Sequence, residues 1–448
     1  MKYSIITFGC RVNQADSLRI EEDLRARGAV EAPSSEADLV IVNTCSVTAM
    51  ADQGARQAIR RVARENPAAR VAVTGCYATR RTEEVAALPG VVRVVRNDEK
   101  LRIVALLEQA GEIATAQRFG DGDGACGASI EPGVAGRTAF TLRVQTGCEE
   151  RCSYCIIPTT RGSGRSTPPA EVVREVERIA AAGFKEIALT GVHLGSYGRD
   201  LTPRSSLLGL LRSLAEASAD VTFRISSLEP MDCTPEVVAL VASSRGRLAP
   251  HFHLPLQHAS DRMLARMRRP YTLDHYRRLV DGIAERLPHA AIGSDVIAGF
   301  PGESDDDFAR NLEYLPRAPL SHLHVFPYSD RPGTAASSHG NKVPGPVIRA
   351  RGAQLRAIGT DLSRRFRDSQ AGTIRPGLTL EDGTLVVTDN YLKVRIDPGL
   401  ARNVRVAVRI DSTLSSLRGT VMTIFSGPSV PPGIRQASPP GSRVEAPQ

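Results

Sequence analysis

The chain has 448 residues, of which 42% are hydrophobic and 24% charged, as is typical of globular proteins, and its length suggests about three domains. No run of 18 apolar residues occurs, so we expect no membrane span, and the apolar segment at the N-terminus is too short for a secretory signal. We therefore predict a cytoplasmic protein, in which the eight cysteines are thiols or metal ligands rather than disulfides.

The formal net charge of +8 lies at the C-terminal end of the sequence. Residues 341–448 contain 16 basic and 8 acidic residues, whereas residues 1–340 are balanced. A basic C-terminal module indicates a polyanionic partner such as nucleic acid. A solvated helix face in a protein with 52 arginines and 5 lysines would give the same excess, and composition does not separate the two interpretations.

Strand and helix patterns alternate through residues 1–117. The apolar segments KYSIITF, ADLVIVNT, RVAVTG and VVRVV are predicted strands, and amphipathic stretches that end near Gly28 and Pro67 are predicted helices. This alternation predicts an open, mostly parallel α/β sheet. Residues 118–138 are rich in Gly, Asp and Ala and are predicted to form a linker.

The alternation resumes over residues 139–345. Six segments are predicted strands: TLRVQ, KEIALTG, TFRISS, HFHLPL, AIGSDVIAG and HLHVFPYS. This number of parallel units predicts a full or partial (β/α) barrel with its chemistry at the carboxyl ends of the strands. An Arg-rich connector helix (346–370), a small β-barrel (371–428) and a disordered Pro- and Ser-rich tail (429–448) are expected to follow.

Three cysteines follow the first of these barrel strands, at Cys148, Cys152 and Cys155. A closed zinc site needs four ligands, whereas three thiolates on a 4Fe–4S cluster leave one iron open to another ligand. The alternative is a zinc knuckle that borrows a histidine, but no fourth ligand lies at the spacing of a zinc finger. The spacing therefore favours a cluster with an open iron.

Three further cysteines each follow a predicted strand of the first sheet, at Cys10, Cys45 and Cys76. Because the carboxyl ends of parallel strands lie along one edge, these thiols are expected to converge. One such cysteine would be an ordinary small buried residue. Three at equivalent positions favour a second cluster, again with an open iron. Cys126 and Cys233 have no matching partners and are interpreted as incidental.

The C-x3-C-x2-C motif resembles that of the radical S-adenosylmethionine (SAM) superfamily, and the later strand ends resemble its SAM-binding segments. The resemblance implies that backbone carbonyls at Thr190 and Gly191 bind the SAM amino group and that Glu229 binds a ribose hydroxyl. It also implies that one arginine binds the SAM carboxylate and that a glycine-bearing strand lies beside the adenine. The candidates for these two roles are Arg266, Arg268 and Arg269 for the carboxylate, and Gly299 for the adenine.

The two cysteine triplets, with the α/β unit first and the radical SAM unit second, resemble the methylthiotransferase family. The C-terminal segment VVTDNYLKVRI resembles the RNA-binding barrel called TRAM. The resemblance implies two 4Fe–4S clusters and two uses of SAM, one as a radical source and one as a methyl donor. It also implies an electron donor and a sulfur source, which the sequence does not identify.

Four segments resemble the branch of this family that acts on N6-threonylcarbamoyladenosine beside the tRNA anticodon: TFGCRVNQADS, LTGVHLGSYGRD, RISSLEP and HVFPYSDRPGT. HLPLQHAS departs from the Gln-Ser-Gly-Ser of that branch, and its Gln257-His258 pair is more like the branch that modifies a ribosomal protein. The sequence thus predicts a tRNA anticodon-loop substrate, with a ribosomal protein as the alternative. A non-enzymatic RNA-binding protein with structural zinc is a distant third.

Several other polar residues have a structural interpretation. His251, His253 and His258 flank an apolar strand and are predicted to be packed or hydrogen-bonded near the site rather than to bind metal. The acidic run GESDDDF is expected to cap a helix. Asn13 and Gln14 either line the second-cluster pocket or cap a helix.

Overall fold

The computed structural model describes residues 1–114, 130, 132, 138–217, 219–412 and 417–426. Cys126, most of the predicted linker and the predicted tail lie outside the described residues. The boundaries of the domains therefore stay predictions, whereas the elements inside them can be compared with the sequence analysis.

Five parallel strands form the N-terminal sheet, in the order β2-β1-β3-β4-β5. The strands are β1 (Lys2–Thr7), β2 (Val30–Glu31), β3 (Leu39–Thr44), β4 (Arg70–Gly75) and β5 (Val91–Val95). The helices are α1 (Arg11–Ala26), α2 (Ala49–Glu65), α3 (Cys76–Arg80), α4 (Thr82–Ala86) and α5 (Ile103–Gln109). All six residues of β3 are buried, as its unbroken apolar run predicts for the central strand of a parallel sheet.

Helices cover both faces of this sheet. Ile59 and Val62 of α2 pack with Val40 in one apolar cluster, whereas Leu24 of α1 and Leu107 of α5 belong to a second cluster. Two separate cores are expected for an open α/β sheet with helices on both sides, and they confirm that part of the predicted fold.

The central unit contains two parallel sheets of three strands each, β10-β9-β6 and β11-β12-β13. The strands are β6 (Phe140–Arg143), β9 (Glu186–Thr190), β10 (Thr222–Ile225), β11 (His251–His253), β12 (Ala291–Ala298) and β13 (His322–Pro327). A parallel bridge between Ser227 and His253 joins the two sheets into one array of six strands. The six predicted strands are thus confirmed, and they form a partial barrel. A short antiparallel pair connects the first strand to the next helix, β7 (Gln145–Thr146) with β8 (Arg165–Ser166).

Seven described helices accompany these strands: α6 (Ile157–Arg161), α7 (Pro169–Ala181), α8 (Leu207–Glu216), α9 (Pro235–Ser243), α10 (Asp261–Arg266), α11 (Leu273–Arg286) and α12 (Asp305–Tyr314). The acidic run does cap a helix. Ser304 accepts a hydrogen bond from the backbone N–H of Asp307, and the Asp307 side chain accepts one from the Ser304 N–H. This reciprocal capping box satisfies two donors at the start of α12.

A long helix, α13 (Gly345–Ser369), precedes a closed five-stranded barrel at the C-terminal end. The barrel strands are β14 (Ile374–Leu380), β15 (Leu385–Thr388), β16 (Lys393–Arg395), β17 (Arg405–Ser412) and β18 (Arg418–Ile424). The buried Arg224 of β10 pairs with Glu186 and donates to the Asp389 carbonyl of this barrel. Arg405 pairs with Asp220 from the other side. The small barrel is therefore docked on the central unit through charged hydrogen bonds.

Among the described residues, no helix is both long enough and apolar enough to cross a membrane.

Candidate metal centres and cofactor site

The first cysteine triplet converges at the carboxyl edge of the N-terminal sheet. Cys10 begins the turn after β1, Cys45 follows β3 and Cys76 follows β4, and these strands are neighbours in the sheet. Burial raises the pKa of the Cys45 thiol to about 11, and the nearby Cys10 and Cys76 add to the rise. Cys45 and Cys76 are buried while Cys10 is exposed, so the site has an open side.

Two glycines allow the strand ends to approach this closely. Gly9 has φ +93°, and a Cβ on it would lie 2.6 Å from the Cys45 sulfur. Gly75 has φ +102°, and a Cβ on it would lie 2.2 Å from the Thr44 carbonyl oxygen. Only glycine fits both the backbone conformation and the space at these positions.

Gly75→Ala is therefore expected to destabilise the N-terminal unit by about 3 kcal/mol, from left-handed strain and a backbone clash together. Gly90→Ala is a matched control, since Gly90 also has positive φ (+74°) but its Cβ would meet neighbours at an ordinary 3.5 Å. We expect it to cost about 1 kcal/mol. Urea unfolding of the apo protein measures both, and equal losses would contradict the crowding at Gly75.

Buried cations surround the inner side of this triplet. Lys100 contacts Asp16 at 2.9 Å, and Arg161 contacts the same carboxylate at 3.1 Å. Asn13 accepts hydrogen bonds from both cations. Asn13 thus lines the pocket wall rather than capping α1, since Cys10 is the residue at the N-cap position.

These cations act on Cys76. Burial alone would raise the pKa of its thiol, but Arg161 and Lys100, with the Asn97 amide at 3.5 Å, lower the pKa overall. The thiolate is the form of cysteine that binds iron, and a nearby positive charge stabilises it. Three converging thiols beside cations form a donor set that fits an iron–sulfur cluster.

The second triplet, Cys148, Cys152 and Cys155, forms a compact loop after β7. The Cys155 N–H donates to the Cys152 carbonyl at 3.1 Å. Burial raises the pKa of Cys155 to about 12, and the neighbouring Cys152 and Cys148 add to the rise. Ser153 holds the loop by donating its N–H to the Met267 carbonyl and its hydroxyl to the Arg266 carbonyl. Three thiols with no fourth cysteine nearby among the described residues again fit a cluster with one open iron.

The structure distinguishes the three candidate arginines. The buried Arg269 donates to the Cys152 sulfur at 3.0 Å and pairs with Glu229. Arg266 donates to the Pro301 carbonyl instead, and Arg268 is exposed. Arg269 and Glu229, which are candidates for the carboxylate and ribose contacts, therefore meet beside the core cysteines. Of the three candidate arginines, Arg269 lies nearest to these cysteines.

The remaining predicted SAM contacts lie at strand ends. The Thr190 carbonyl accepts the Val144 N–H, and a Cβ on Gly191 would lie 2.8 Å from Leu194. Gly299 has φ +77° and donates its N–H to Glu303. The structure places all three at carboxyl ends of the central sheets, and their roles toward SAM stay predictions.

Some residues of the site were not found by sequence reasoning. His193 lies 3.8 Å from the Cys148 sulfur and is held by Asp232 at 2.7 Å. Arg161 follows Cys155 by only six residues but reaches the other triplet. The segment LTGVHLG did show the histidine, but nothing in the sequence connected it to Asp232.

The Gln257-His258 pair, where the sequence differs from the tRNA branch, lies in the packed interior. His258 has no exposed surface; it contacts Glu303 at 3.2 Å and Asn311 at 3.0 Å. Gln257 takes a positive φ of 70°. The prediction that His258 is packed or hydrogen-bonded near the site is confirmed, because its partner Glu303 also accepts the N–H of Gly299.

The other histidines lie on one face of β11 and β13. His251 and His253 are joined there by His322 and His324, with ring centroids 5.1 Å apart for the last two. Burial, together with the neighbouring His324 and His253, lowers the pKa of His322 to about 4. Hydrogen bonds from His253 and His324 oppose the effect of burial on Asp295 and lower its pKa to about 2.

Two family models match the chain. Residues 2–96 match a group described as Uncharacterized protein family UPF0004, and residues 142–315 match the Radical SAM superfamily. The chain is 36% identical to the threonylcarbamoyladenosine tRNA methylthiotransferase MtaB of Aquifex aeolicus, over 88% of this chain and 96% of that protein. It is 34% identical to the protein of that name in Bacillus subtilis, over 87% and 88%.

The chain belongs to the radical SAM methylthiotransferase family. A relative named tRNA-2-methylthio-N(6)-dimethylallyladenosine synthase, from Acidothermus cellulolyticus, is 32% identical over 85% of this chain and 77% of that protein. A radical SAM methyltransferase structure, TsrM of Kitasatospora setae, has the same fold at TM-score 0.53 and 17% identity, over 75% of this chain and 77% of that one.

Membership of this family confirms that the protein is an enzyme that uses SAM and two 4Fe–4S clusters. The two family models match the chain in the order of the N-terminal α/β unit and the central unit. The assignment of each cysteine to a cluster, and of each residue to SAM, is a proposal that the geometry above supports.

Arg269→Ala is expected to weaken SAM binding by about 100-fold, since a buried charged hydrogen bond is worth about 1.5–3 kcal/mol. Arg268→Ala, one residue away but exposed, is the matched control and should change the affinity by less than about twofold. Equilibrium binding of SAM to the reconstituted protein measures both. Equal effects of the two substitutions would contradict the assignment.

Proposed function

We propose that this protein adds a methylthio group to C2 of N6-threonylcarbamoyladenosine beside the anticodon of tRNA. The observation that carries the proposal is the pair of three-thiol sites, neither of which has a fourth cysteine beside it among the described residues. Relatives that carry this activity in their names support the choice of substrate.

Each group of residues has a distinct task in this reaction. When bound, the two clusters and SAM supply the reductive radical chemistry and the sulfur with its methyl group. Cys148, Cys152 and Cys155 hold the core cluster, and Arg269 with Glu229 fixes the carboxylate and ribose of SAM beside it.

The sulfur-carrying site is held by Cys10, Cys45 and Cys76. Its exposed side at Cys10 leaves access for the sulfur source, which is still to be identified, as is the electron donor. Arg161 belongs to the radical SAM unit but lies against Cys76. It thereby fixes the position of one site relative to the other, as a reaction that uses both requires.

The tRNA backbone is proposed to bind the exposed arginines of α13 and the small barrel. Arg349, Arg356, Arg364 and Arg365 on the helix are exposed, as are Lys393, Arg395 and Arg418 on the barrel. Such side chains neutralise phosphates without reading sequence. We interpret the closed barrel as the TRAM-like module and place the protein in the cytoplasm, where tRNA is modified.

The proposal is tested by anaerobic reconstitution followed by nucleoside mass spectrometry. About eight irons per chain and a new methylthio derivative of N6-threonylcarbamoyladenosine in tRNA are the expected results. A methylthio group only on dimethylallyladenosine, or only on a ribosomal protein, would overturn the substrate. About four irons would overturn the assignment of the first triplet.

A further inference from the structure

We propose that His253, His322 and His324, with Asp295, form a site for a divalent first-row transition metal ion on the inner face of the partial barrel. This site is separate from both cysteine triplets. One ligand atom from each of the three histidines lies within 4.8 Å of the others. The site goes beyond the proposed reaction, which needs only the two clusters and SAM.

The sheet register brings these side chains together. His253 lies opposite Gly293, and Gly293 lies opposite His322, so the two histidines flank a residue with no side chain. Asp295 lies opposite His324, two residues further along β12. Residues two apart on a strand share a face, and therefore all four polar side chains lie on the same side of the sheet.

The distances from Asp295 to two of the histidines are close to the ligand spacing of a metal site. Asp295 Oδ1 is 3.0 Å from His253 Nε2 and 3.1 Å from His324 Nδ1. Bonds of about 2.0–2.1 Å from zinc to nitrogen and oxygen set tetrahedral ligands about 3.3 Å apart. A metal ion can thus replace the protons that Asp295 shares with these two histidines. The His322 ring has to turn toward them, because the three histidine ligand atoms now lie within 4.8 Å of one another.

Two of the imidazole rings are already oriented by hydrogen bonds to their Nδ1 atoms. His253 Nδ1 is 3.1 Å from the Ser227 hydroxyl, and His322 Nδ1 is 2.9 Å from the Ser321 hydroxyl. Each contact occupies one ring nitrogen and leaves Nε2 for the ion. A ligating histidine almost always has such a hydrogen bond on its other nitrogen, which fixes the tautomer and the orientation of the ring.

Gly293 provides the space. A Cβ on Gly293 would lie 2.1 Å from both Cε1 and Nε2 of His322. The His322 ring therefore lies directly over the glycine, between the strands that carry the other ligands. Any larger residue would displace His322 from the site.

The site lies near the radical chemistry. Arg269 donates hydrogen bonds to both the Cys152 sulfur and the Tyr271 hydroxyl, and the Tyr271 hydroxyl donates to the carbonyl of Pro255, two residues after His253. Three neutral imidazoles, one carboxylate and a divalent ion leave one net positive charge facing the barrel interior. That charge suits the free carboxylate of the threonylcarbamoyl group, a role that rests on the proposed function.

Zinc binding to the holoenzyme tests the site without reference to activity. The chain is first loaded anaerobically with its clusters and then titrated with Zn²⁺. After a desalting column, the zinc content is measured, and the ligands of the bound zinc are identified by X-ray absorption at the zinc edge. About one zinc per chain with only nitrogen and oxygen ligands is expected. Retention of no zinc, or a zinc shell that contains sulfur, would overturn the proposal.

Two substitutions and one control make the test specific. His322→Ala removes a ligand and is expected to weaken zinc binding by at least about 100-fold, and Gly293→Ala should give a similar loss by displacing the same ring. His275→Ala changes an exposed histidine on α11 and should bind zinc as the unsubstituted protein does. Undiminished zinc binding by both His322→Ala and Gly293→Ala would overturn the assignment, whatever their activity toward tRNA.

Discussion

Cys10→Ala is expected to abolish methylthio transfer to tRNA while the protein still cleaves SAM reductively. Cys152→Ala is expected to abolish both reactions. The reason is the separation of the two triplets: Cys10 follows a strand of the N-terminal sheet, whereas Cys152 lies in the radical SAM unit and contacts Arg269 at 3.0 Å. A cluster that loses one of its three protein ligands is not expected to stay bound. Each activity that depends on that cluster should therefore fall to the background rate.

Both products are quantified in the same reaction: 5′-deoxyadenosine reports SAM cleavage, and the modified nucleoside reports methylthio transfer. The iron content of each variant is measured alongside. Cys233→Ala is the matched control, because Cys233 is a buried thiol of the central core that belongs to neither triplet. Burial, with a smaller effect of Asp232, raises its pKa to about 12. It should keep both activities. Loss of SAM cleavage by Cys10→Ala with about four irons still bound would show that the two sites do not act independently.

The positions of the cysteines could be predicted because they follow from topology. Once the segments before Cys10, Cys45 and Cys76 are interpreted as parallel strands, their convergence follows from the geometry of the sheet. The structure agrees, with these strands adjacent in the order β1-β3-β4. The same rule placed the second triplet, because it also begins where a strand ends.

The choice of Arg269 could not be predicted from the sequence. Three arginines lie within four residues at the end of α10, and spacing does not distinguish them. The chain leaves the helix here through Arg268, which adopts a positive φ of 57°, and this turn directs Arg269 toward Cys152. A local backbone conformation of this kind depends on packing against other segments.

The C-terminal excess of positive charge only partly predicts which side chains can contact phosphates. Arg351, Arg375 and Arg405 contribute to it but are buried, and they pair with Glu303, Asp389 and Asp220, respectively. These arginines hold the helix and the small barrel in place and are not available to phosphates. A count of charges cannot make this distinction, because burial depends on the tertiary fold.

Asp16→Ala is expected to destabilise the protein by about 3–5 kcal/mol, the typical cost of leaving buried charges without their partner. Asp16 has no exposed side-chain surface and contacts three cations, Lys100, Arg143 and Arg161. Lys100 belongs to the N-terminal unit, whereas the two arginines belong to the radical SAM unit. The substitution leaves three positive charges facing one another across the junction of the two units.

Calorimetry of the apo protein tests this, because loss of the junction should lower the unfolding temperature of the N-terminal unit and separate it from that of the radical SAM unit.

Asp23→Ala is the control on the same helix. Asp23 also pairs with an arginine, Arg27 at 3.0 Å, but both side chains are partly exposed, and such a pair is worth at most about 1 kcal/mol. Equal shifts for the two variants would contradict a central role for Asp16. A larger shift for Asp16→Ala would mean that the carboxylate that balances the cations beside Cys76 also joins the two units, so the two cluster sites would depend on one buried residue for their relative position.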